Sequence, residues 1–267
     1  MNWKPKVKER FSQDVAARKW HNMYEHKTQN LDDEFFRLRR DFTVDYIKVN
    51  FTKVSKLCDI GCGAGPVITE LLKSEFQCVG LDYSPDMLTN AKKRLEDNGL
   101  NTGVLMRGDC EALPFPNEEF DCVICLGVIS YVDDYNNIIN EINRILKPSG
   151  IAIITFRNHY NHILSDPVVF LKYLVKKILM RKVESYSGVG RFLKAREVKR
   201  DIRKHELKLV QEVGIGFGPF CLNYKKLFSD KTSIALNSKF SWMAKIPLMR
   251  RAQMLAADIN IMICKKH

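Results

Sequence analysis

Short apolar runs recur along the middle of the chain, and turn residues separate them. Continuous apolar runs of this length are typical of strands that are covered on both faces. The pattern predicts five such strands: Val54 to Ile60, Cys78 to Leu81, Gly103 to Arg107, Phe120 to Leu126, and Ile151 to Phe156.

The segments between these strands carry helix signals. Pro66 to Lys73 begins with a proline in its first turn, and Ser84-Pro85 supplies an N-cap and first-turn proline for a helix to about Asp97. Asp133 to Leu146 is a third helix, which Pro148 and Gly150 end. Alternating strands and helices predict an α/β fold with a doubly wound, mostly parallel sheet.

The two ends of the chain extend this core. Residues 1–50 read as helical, because Phe35, Leu38, Phe42 and Ile47 fall near helical spacing, and we expect them to cover an open edge of the core. Residues 157–196 break the alternation and read as an insertion. We then expect a helix and two strands, which bring the sheet to seven strands: Glu197 to Val213, Ile215 to Phe220, and Met254 to Ile263.

Composition limits the class of protein. With 267 residues and 45% apolar residues, the chain reads as globular and as one domain. No apolar run reaches the roughly 18–20 residues of a membrane span, and Met1 to Arg10 lacks the apolar stretch of a secretory signal. We therefore expect a cytoplasmic protein.

The eight cysteines read as reduced core thiols rather than a metal site, since Cys122 and Cys125 on one strand point to opposite faces.

The residues that could bind a ligand lie where the predicted strands end. In an open parallel sheet, ligands bind outside the carboxyl ends of the strands. The first strand runs into Asp59-Ile60-Gly61-Cys62-Gly63-Ala64-Gly65, and the helix at Pro66 points its N-terminal dipole at an anionic part of a ligand. Asp59 can pair with an ammonium group. The G-x-G-x-G spacing disfavours a nicotinamide dinucleotide, and hence a dehydrogenase.

The next three strand ends are consistent with the same ligand. Asp82 follows Gly61 by 21 residues, and a carboxylate there can accept hydrogen bonds from two ribose hydroxyls. Asp109, between Gly108 and Cys110, can accept from the exocyclic amine of an adenine. Leu126-Gly127-Val128 lets a ligand lie over the backbone after the fourth strand.

Residues 56–156 resemble the core of the class I S-adenosylmethionine-dependent methyltransferases, in the small-molecule branch that includes quinone-biosynthesis enzymes. The matching motifs are LCDIGCGAG (57–65), VGLDYSPDML (79–88), RGDCEALPFPNEEFDCVICLGVISYVDD (107–134) and ILKPSGIAIITF (145–156). The resemblance implies a Rossmann-like fold and S-adenosyl-L-methionine as cofactor. It implies cofactor contacts from Asp59, Gly61, Cys62, Gly63, Asp82, Tyr83, Met87, Asp109, Cys110 and Leu126.

The same resemblance divides the chain by role. It implies a helical cover over 1–50, a cofactor-binding core over 54–156, an acceptor-side insertion over 157–196 and a C-terminal part of the sheet over 197–267. By a looser analogy, Tyr24 and either Arg39 or Arg40 of the cover close over the site.

The sequence indicates less clearly which residues would bind the methyl acceptor. Methyl transfer from a sulfonium is an in-line displacement that depends on alignment, and a base is needed only when the nucleophile carries a proton. His159, three residues after the fifth strand, is the first candidate base and His162 the second; Tyr131 is a candidate to orient the acceptor. A surface or structural role for each is at least as well supported. Relatives often carry a histidine after strand four, where this chain has Ser130-Tyr131.

Charge is concentrated in the C-terminal half. Residues 1–150 carry 20 Lys and Arg against 23 Asp and Glu, whereas residues 151–267 carry 23 against 8. Pro167 to Lys182 and Phe240 to Arg251 combine apolar and basic residues. Such segments suit a hydrophobic acceptor pocket with a basic mouth, peripheral contact with an anionic membrane, or a packed helix with exposed lysines.

The leading hypothesis is methyl transfer to a small hydrophobic or anionic metabolite. A nucleic-acid (RNA) methyltransferase is the alternative that the basic half suggests. Against it, no Asn/Asp-Pro-Pro-Tyr/Phe motif follows strand four and no RNA-binding module is recognisable. A non-catalytic scaffold is disfavoured by acidic residues at three strand ends.

Overall fold

The computed structural model describes residues 30–132, 134–164, 166–179, 186–187, 190–218, 221–222, 225–240, 254 and 257–267. Strands and helices alternate through most of this length. In chain order, the elements are α1 (Leu31–Asn50), β1 (Lys56–Ile60), α2 (Pro66–Lys73), β2 (Gln77–Asp82), α3 (Pro85–Asp97), β3 (Leu105–Arg107), β4 (Phe120–Leu126), α4 (Asn136–Ile145), β5 (Leu146–Arg157), α5 (His159–Leu164), α6 (Pro167–Ile178), β6 (Tyr186–Ser187), β7 (Gly190–Arg191), α7 (Ala195–Lys204), β8 (Leu207–Phe217), β9 (Cys221–Leu222), β10 (Lys225–Lys226), α8 (Asp230–Phe240) and β11 (Ala257–Lys266).

One seven-stranded sheet organises the fold. Its strand order is β3-β2-β1-β4-β5-β11-β8, in which β1 to β5 pair in parallel and β11 pairs antiparallel with β5 and β8. The strand order reverses between β1 and β4, which places a switch point beside the loop after β1. The predicted doubly wound, mostly parallel seven-stranded sheet is confirmed.

The sheet is buried on both faces, as its apolar strands predict. Ile138, Ile142 and Ile202 of α4 and α7 pack on one face, and the opposite face carries α1 and α2. Cys122 and Cys125 of β4 belong to these two opposite core layers. Burial raises the pKa of the thiols of both residues, so they are protonated core side chains.

Helix α1 lies against the core rather than apart from it. Asn30 caps the helix by accepting a hydrogen bond from the Asp33 amide, and Leu31, Phe35, Val44 and Ile47 are buried in the layer that contains α2. The face of α1 that includes Phe36 and Arg39 reaches the carboxyl edge of the sheet. The helix therefore contributes side chains to the region where the strand-end motifs converge.

The predicted helix from Glu197 to Val213 and the predicted strand from Ile215 to Phe220 are wrong in their bounds. Helix α7 ends at Lys204, and β8 runs from Leu207 to Phe217. Glu206 has a φ of 58°, which turns the chain between the two elements. Antiparallel pairing of β8 along β11 satisfies its backbone and outweighs the helical propensity of the charged stretch.

Several sequence predictions lie outside the described residues. They include residues 1–29 of the predicted helical cover, among them Tyr24, as well as Lys182 and most of the segment from Phe240 to Arg251. Within the ranges described above, no helix is long and apolar enough to cross a membrane.

Candidate functional site

A cavity opens at the carboxyl edge of the sheet, where the strand-end motifs meet. Its lining comes from the ends of β1 to β5, from α1 and from the start of β11. The predicted site residues that line it are Asp59, Gly61, Cys62, Gly63, Asp82, Tyr83, Met87, Cys110, Leu126 and Tyr131. The structure thus gathers ten of the twelve predicted residues around one space; Asp109 and His159 do not line it.

The glycine loop after β1 forms one wall. Gly61 has a φ of 69°, and a Cβ placed there would lie 2.3 Å from Cγ2 of Val128, so only glycine fits the turn without displacement. The Gly61 amide donates to the Leu81 carbonyl at 2.7 Å, which ties the loop to β2. Pro66 and Val67, the first residues of α2, also line the cavity and direct its N-terminus toward a ligand.

Asp82 holds two segments of this wall together. One carboxylate oxygen accepts from the Gly63 amide at 2.8 Å, and the other accepts from the Ser84 amide at 2.9 Å. Burial raises the pKa of Asp82, while hydrogen bonds from the Ser84, Gly63 and Tyr83 amides oppose that shift. Each oxygen keeps acceptor capacity toward the cavity, since a carboxylate has about four lone-pair sites.

Asp59 is the most perturbed carboxyl group of the cavity. It is 2% exposed at the end of β1. Burial and repulsion from Asp82 raise its pKa to about 8, although Arg39 acts in the opposite direction. A buried carboxyl group in this state favours a cationic partner, because a positive charge within a few ångströms would stabilise its carboxylate.

Arg39 of α1 supplies a positive charge to the same space. It is 7% exposed, its guanidinium lies 4.6 Å from the ring centroid of Phe36, and both residues line the cavity. A Cβ on Gly127 would lie 2.9 Å from Nη1 of Arg39, so the guanidinium lies over the turn after β4. Arg40, the sequence alternative, pairs instead with Asp41 at 2.6 Å.

The end of β3 contributes Gly108 and Cys110 to the lining. Burial, with the nearby charges of Asp109 and Glu111, raises the pKa of the Cys110 thiol to about 12, so it is a neutral contact surface. Asp109 accepts a hydrogen bond from the Glu111 amide at 3.0 Å. Its predicted contact with an adenine amine stays a prediction.

The rest of the lining, from α1 and from the β4, β5 and β11 side of the sheet, was largely missed by sequence reasoning. Phe36, Val132, Phe156 and Ile259 give it apolar surface, and Ser130, Tyr131 and Arg157 are its polar members. Phe156 and Arg157 end β5, the same position in the fold as the motifs that sequence reasoning did find. Phe36 and Ile259 depend on how α1 and β11 pack, for which the local sequence carries no signal.

A partly buried ionic network fixes Arg157 beside the cavity. Its Nη2 lies 3.1 Å from Oδ1 of Asp258 and 3.2 Å from Oδ1 of Asp32, and its guanidinium lies 5.3 Å from the ring centroid of Phe192. Asn161 also donates to Asp258 at 3.0 Å. Desolvation lowers the pKa of Arg157, but the two carboxylates outweigh it, so the guanidinium stays charged and positioned.

Neither His159 nor His205 lines the cavity. His159 is 2% exposed, and its ring packs against Tyr160 and Tyr173 with centroid distances of 5.5 and 6.1 Å. His162 is a residue of α5, and His205 is at the end of α7 beside Asn136. Tyr131 is therefore the better placed of the two predicted catalytic side chains, and a basic role for His159 stays a prediction.

Residues 58–154 match the family model described as "Methyltransferase domain". This range contains all four strand-end motifs, and the sheet around it has the Rossmann-like order. Over this range the chain is similar to the class I S-adenosylmethionine-dependent methyltransferases. Its sequence is similar to the quinone-biosynthesis members of that family.

Two curated relatives show the extent of this similarity. The ubiquinone biosynthesis O-methyltransferase of Bartonella tribocorum is 28% identical over 164 residues, which are 61% of this chain and 64% of that protein. The demethylmenaquinone methyltransferase of Geobacillus stearothermophilus is 29% identical over 152 residues, 52% of this chain and 63% of the relative. The chain thus spans somewhat less than two thirds of the length of these relatives.

A solved structure extends the likeness to the whole fold. Magnesium protoporphyrin IX methyltransferase from Synechocystis PCC 6803, solved with bound S-adenosylhomocysteine, aligns with a TM-score of 0.63 at 16% identity. The alignment covers 99% of this chain and 100% of that one. This likeness supports the methyltransferase fold, including the C-terminal β11 and β8.

The residues of the cavity fit S-adenosylmethionine, the cofactor of this family. The loop at Gly61 is a cradle that a Cβ would fill, α2 presents its N-terminus, and two carboxyl groups, Asp59 and Asp82, face the space. These groups suit the carboxylate, ammonium and ribose hydroxyls of the cofactor.

The raised pKa of Asp59 predicts proton release on cofactor binding. Below pH 8 Asp59 is mostly protonated, and an ammonium beside it would favour the carboxylate. We expect S-adenosylmethionine binding at pH 7 to release most of one proton, and the release to fall as the pH approaches 8. Isothermal titration calorimetry in two buffers of different ionisation enthalpy measures it.

Two controls isolate Asp59. Asp59→Asn should abolish the proton release, and methylthioadenosine, which lacks the ammonium, should bind the native protein without it. Equal release by Asp59→Asn and the native protein would contradict the assignment.

Because its folded pKa lies above its ordinary 3.8, Asp59 lowers the stability of the ligand-free protein as pH rises from about 4 to 8, and Asp59→Asn should remove that loss.

Proposed function

We propose that the protein transfers a methyl group from S-adenosylmethionine to a small hydrophobic acceptor of the quinone-precursor type. The observation that carries this proposal is the division of one cavity into two walls. The cofactor wall consists of the glycine loop, Asp59 and Asp82, on the β1 and β2 side of the sheet. The acceptor wall, from α1 and from the β4, β5 and β11 side of the sheet, consists of Phe36, Val132, Phe156, Arg157 and Ile259. The names of the curated relatives support an aromatic acceptor that carries a long apolar chain.

S-adenosylmethionine, when bound, supplies the methyl group from its sulfonium. The side chains of the protein orient the acceptor and exclude water, which are the main contributions an enzyme makes to an in-line displacement. Arg157, held by Asp258 and Asp32, places a positioned guanidinium at the acceptor wall. The two carboxylates offset its charge, so its contribution to the acceptor is N–H donation to an oxygen on the acceptor ring.

Tyr131 is proposed to orient the acceptor through its hydroxyl group. It lines the cavity next to Ser130 and Val132, and Gly190 of β7 lies over its ring, where a Cβ would be 3.1 Å from Cε1. This packing fixes the ring plane, so the hydroxyl has a defined direction. An acceptor that binds as a phenolate needs no base, which is consistent with a cavity that His159 does not line.

Radiolabelled S-adenosylmethionine tests the proposed acceptor class directly. We expect label transfer to a prenylated dihydroxybenzene and to a demethylmenaquinol, and weaker transfer to the same rings without the isoprenoid chain. Bulk RNA should remain unlabelled. Transfer to RNA alone, or to none of the aromatic compounds, would refute the proposal.

Substitution of Tyr131 tests the orienting role. Tyr131→Phe should lower kcat/KM for the acceptor by about three- to tenfold, the effect of one uncharged hydrogen bond, and leave S-adenosylhomocysteine affinity unchanged. Tyr160→Phe is the matched control, because Tyr160 lies outside the cavity lining. A loss for His159→Gln that exceeds the loss for Tyr131→Phe would instead support His159 as a base.

A further inference from the structure

The outward face of α6 is apolar. Phe170, Leu171, Leu174, Val175 and Ile178 are 38, 62, 37, 49 and 79% exposed. At 3.6 residues per turn these positions cover one stripe roughly 140° wide. A contiguous exposed stripe of large apolar side chains differs from the isolated exposed residues that most surfaces carry, and it marks an interaction surface.

The inward face of α6 accounts for its place in the fold. Tyr173 is half-buried and contacts the His159 ring, and Val169 is half-buried on the same side. Asp166 caps the helix by accepting a hydrogen bond from the Val168 amide at 3.0 Å. The helix is therefore held on the domain by one narrow face, and its wider apolar face points to solvent. The sequence also allowed a helix that packs on the domain and exposes its lysines. The exposed face of α6 is instead mainly apolar.

The charged residues in the sequence of α6 indicate what kind of partner this surface binds. The sequence from Pro167 to Ile178 contains Lys172, Lys176 and Lys177 and no acidic residue. Lys172 is exposed beside the apolar stripe. An apolar face with cations and no anions suits the interface of an anionic bilayer, where the apolar side chains enter the acyl boundary and the ammonium groups meet lipid phosphates. An ordinary protein partner would not require both features.

The position of α6 relates this surface to the cavity. Helix α5 connects it to Arg157, the last residue of β5 and part of the acceptor wall. Leu164, at the end of α5, is also 49% exposed. Along the chain, only α5 and the residues that flank it separate α6 from Arg157 of the acceptor wall.

We propose that α6 is an interfacial helix that docks the protein on anionic lipid bilayers. The apolar stripe of Phe170, Leu171, Leu174, Val175 and Ile178 inserts below the headgroups, and Lys172 adds electrostatic attraction. If the acceptor proposed above is correct, docking brings the cavity to a substrate that dissolves in the bilayer. The docking itself does not depend on that acceptor, because it is measured without cofactor or acceptor.

Vesicle flotation of the full chain tests this proposal. We expect binding to vesicles of phosphatidylcholine mixed with phosphatidylglycerol, weaker binding to phosphatidylcholine alone, and a reduction at high salt. Leu171→Ser/Ile178→Ser should reduce the partition coefficient by at least about tenfold, since two large apolar side chains lose their burial. Lys172→Glu should reduce binding to the anionic vesicles alone.

Val49→Ser/Val54→Ser is the matched control. These residues are 82 and 76% exposed and lie before β1, at the opposite edge of the sheet, so their substitution should leave vesicle binding unchanged. All variants should bind S-adenosylhomocysteine like the native protein, which shows that they fold. Equal loss for the control pair, or no binding of the native chain to anionic vesicles at low salt, would overturn the proposal. So would a dimer in solution that Leu171→Ser/Ile178→Ser converts to a monomer.

Discussion

Asp82→Ala is expected to weaken S-adenosylhomocysteine binding by roughly 100- to 10,000-fold. In the ligand-free protein its carboxylate already accepts hydrogen bonds from the Gly63 and Ser84 amides. Toward the cavity, we propose that it accepts hydrogen bonds from two ribose hydroxyls. A hydrogen bond to a charged group contributes about 1.5–3 kcal/mol, and each 1.4 kcal/mol changes affinity tenfold. Isothermal titration calorimetry measures the loss.

A purely structural role for Asp82 predicts a different pattern. In that case thermal unfolding without ligand would shift to lower temperature, whereas the affinity of the folded protein for S-adenosylhomocysteine would stay unchanged. Asp86→Ala is the matched control, because Asp86 lies four residues further on in the first turn of α3 and does not line the cavity. It should leave affinity intact, so a loss shared by both variants would contradict a specific contact from Asp82.

The position of the site was predictable because parallel strands share one carboxyl edge. Asp59, Asp82 and Leu126 are far apart in sequence, yet each lies at the end of a strand of the same sheet or one residue before it. Once the strands were recognised, the topology required these residues to converge. Strand β4 has the predicted bounds, since its apolar run is bordered by Glu119 and Gly127 and is covered on both faces.

The errors lie where tertiary pairing decides the structure. From Leu207 to Ile215 the sequence mixes apolar residues at alternate positions with charged residues that also suit a helix. Pairing with β11 selects the strand, and that pairing joins residues about 50 positions apart in sequence. A two-residue period through Leu207, Leu209, Val213 and Ile215 was the available signal, and the charged flanks obscured it.

The acceptor wall shows that tertiary packing also limits which functional residues can be found from sequence. Arg157 could have been found, because it follows Phe156 at the end of a predicted strand. Phe36 could not, since its place in the cavity depends on the angle at which α1 packs on the sheet. The cofactor wall consists of consecutive residues in short motifs, whereas the acceptor wall is assembled from α1, β5 and β11. Local sequence therefore indicates the cofactor better than the acceptor.

Gly61→Ala is the second substitution with a large expected effect. The new methyl group would meet Cγ2 of Val128 at 2.3 Å, and the residue would keep a φ of 69°. A left-handed conformation costs a non-glycine residue about 1–2 kcal/mol, and overpacking adds about 1–3 kcal/mol. We expect the free energy of unfolding to fall by about 2–5 kcal/mol and cofactor binding to be lost, as urea denaturation and calorimetry would show.

Two further variants separate backbone strain from steric overlap. Gly99 has a φ of 66° and no atom within 4 Å of the place that a Cβ would occupy, so Gly99→Ala should show the backbone cost alone. In a Val128→Ala background, Gly61→Ala should cost no more than Gly99→Ala, because the overlapping methyl group is gone. An equal cost of Gly61→Ala with and without Val128 would show that Val128 moves aside. In that case, contact between the loop after β1 and the turn after β4 would not explain why position 61 requires glycine.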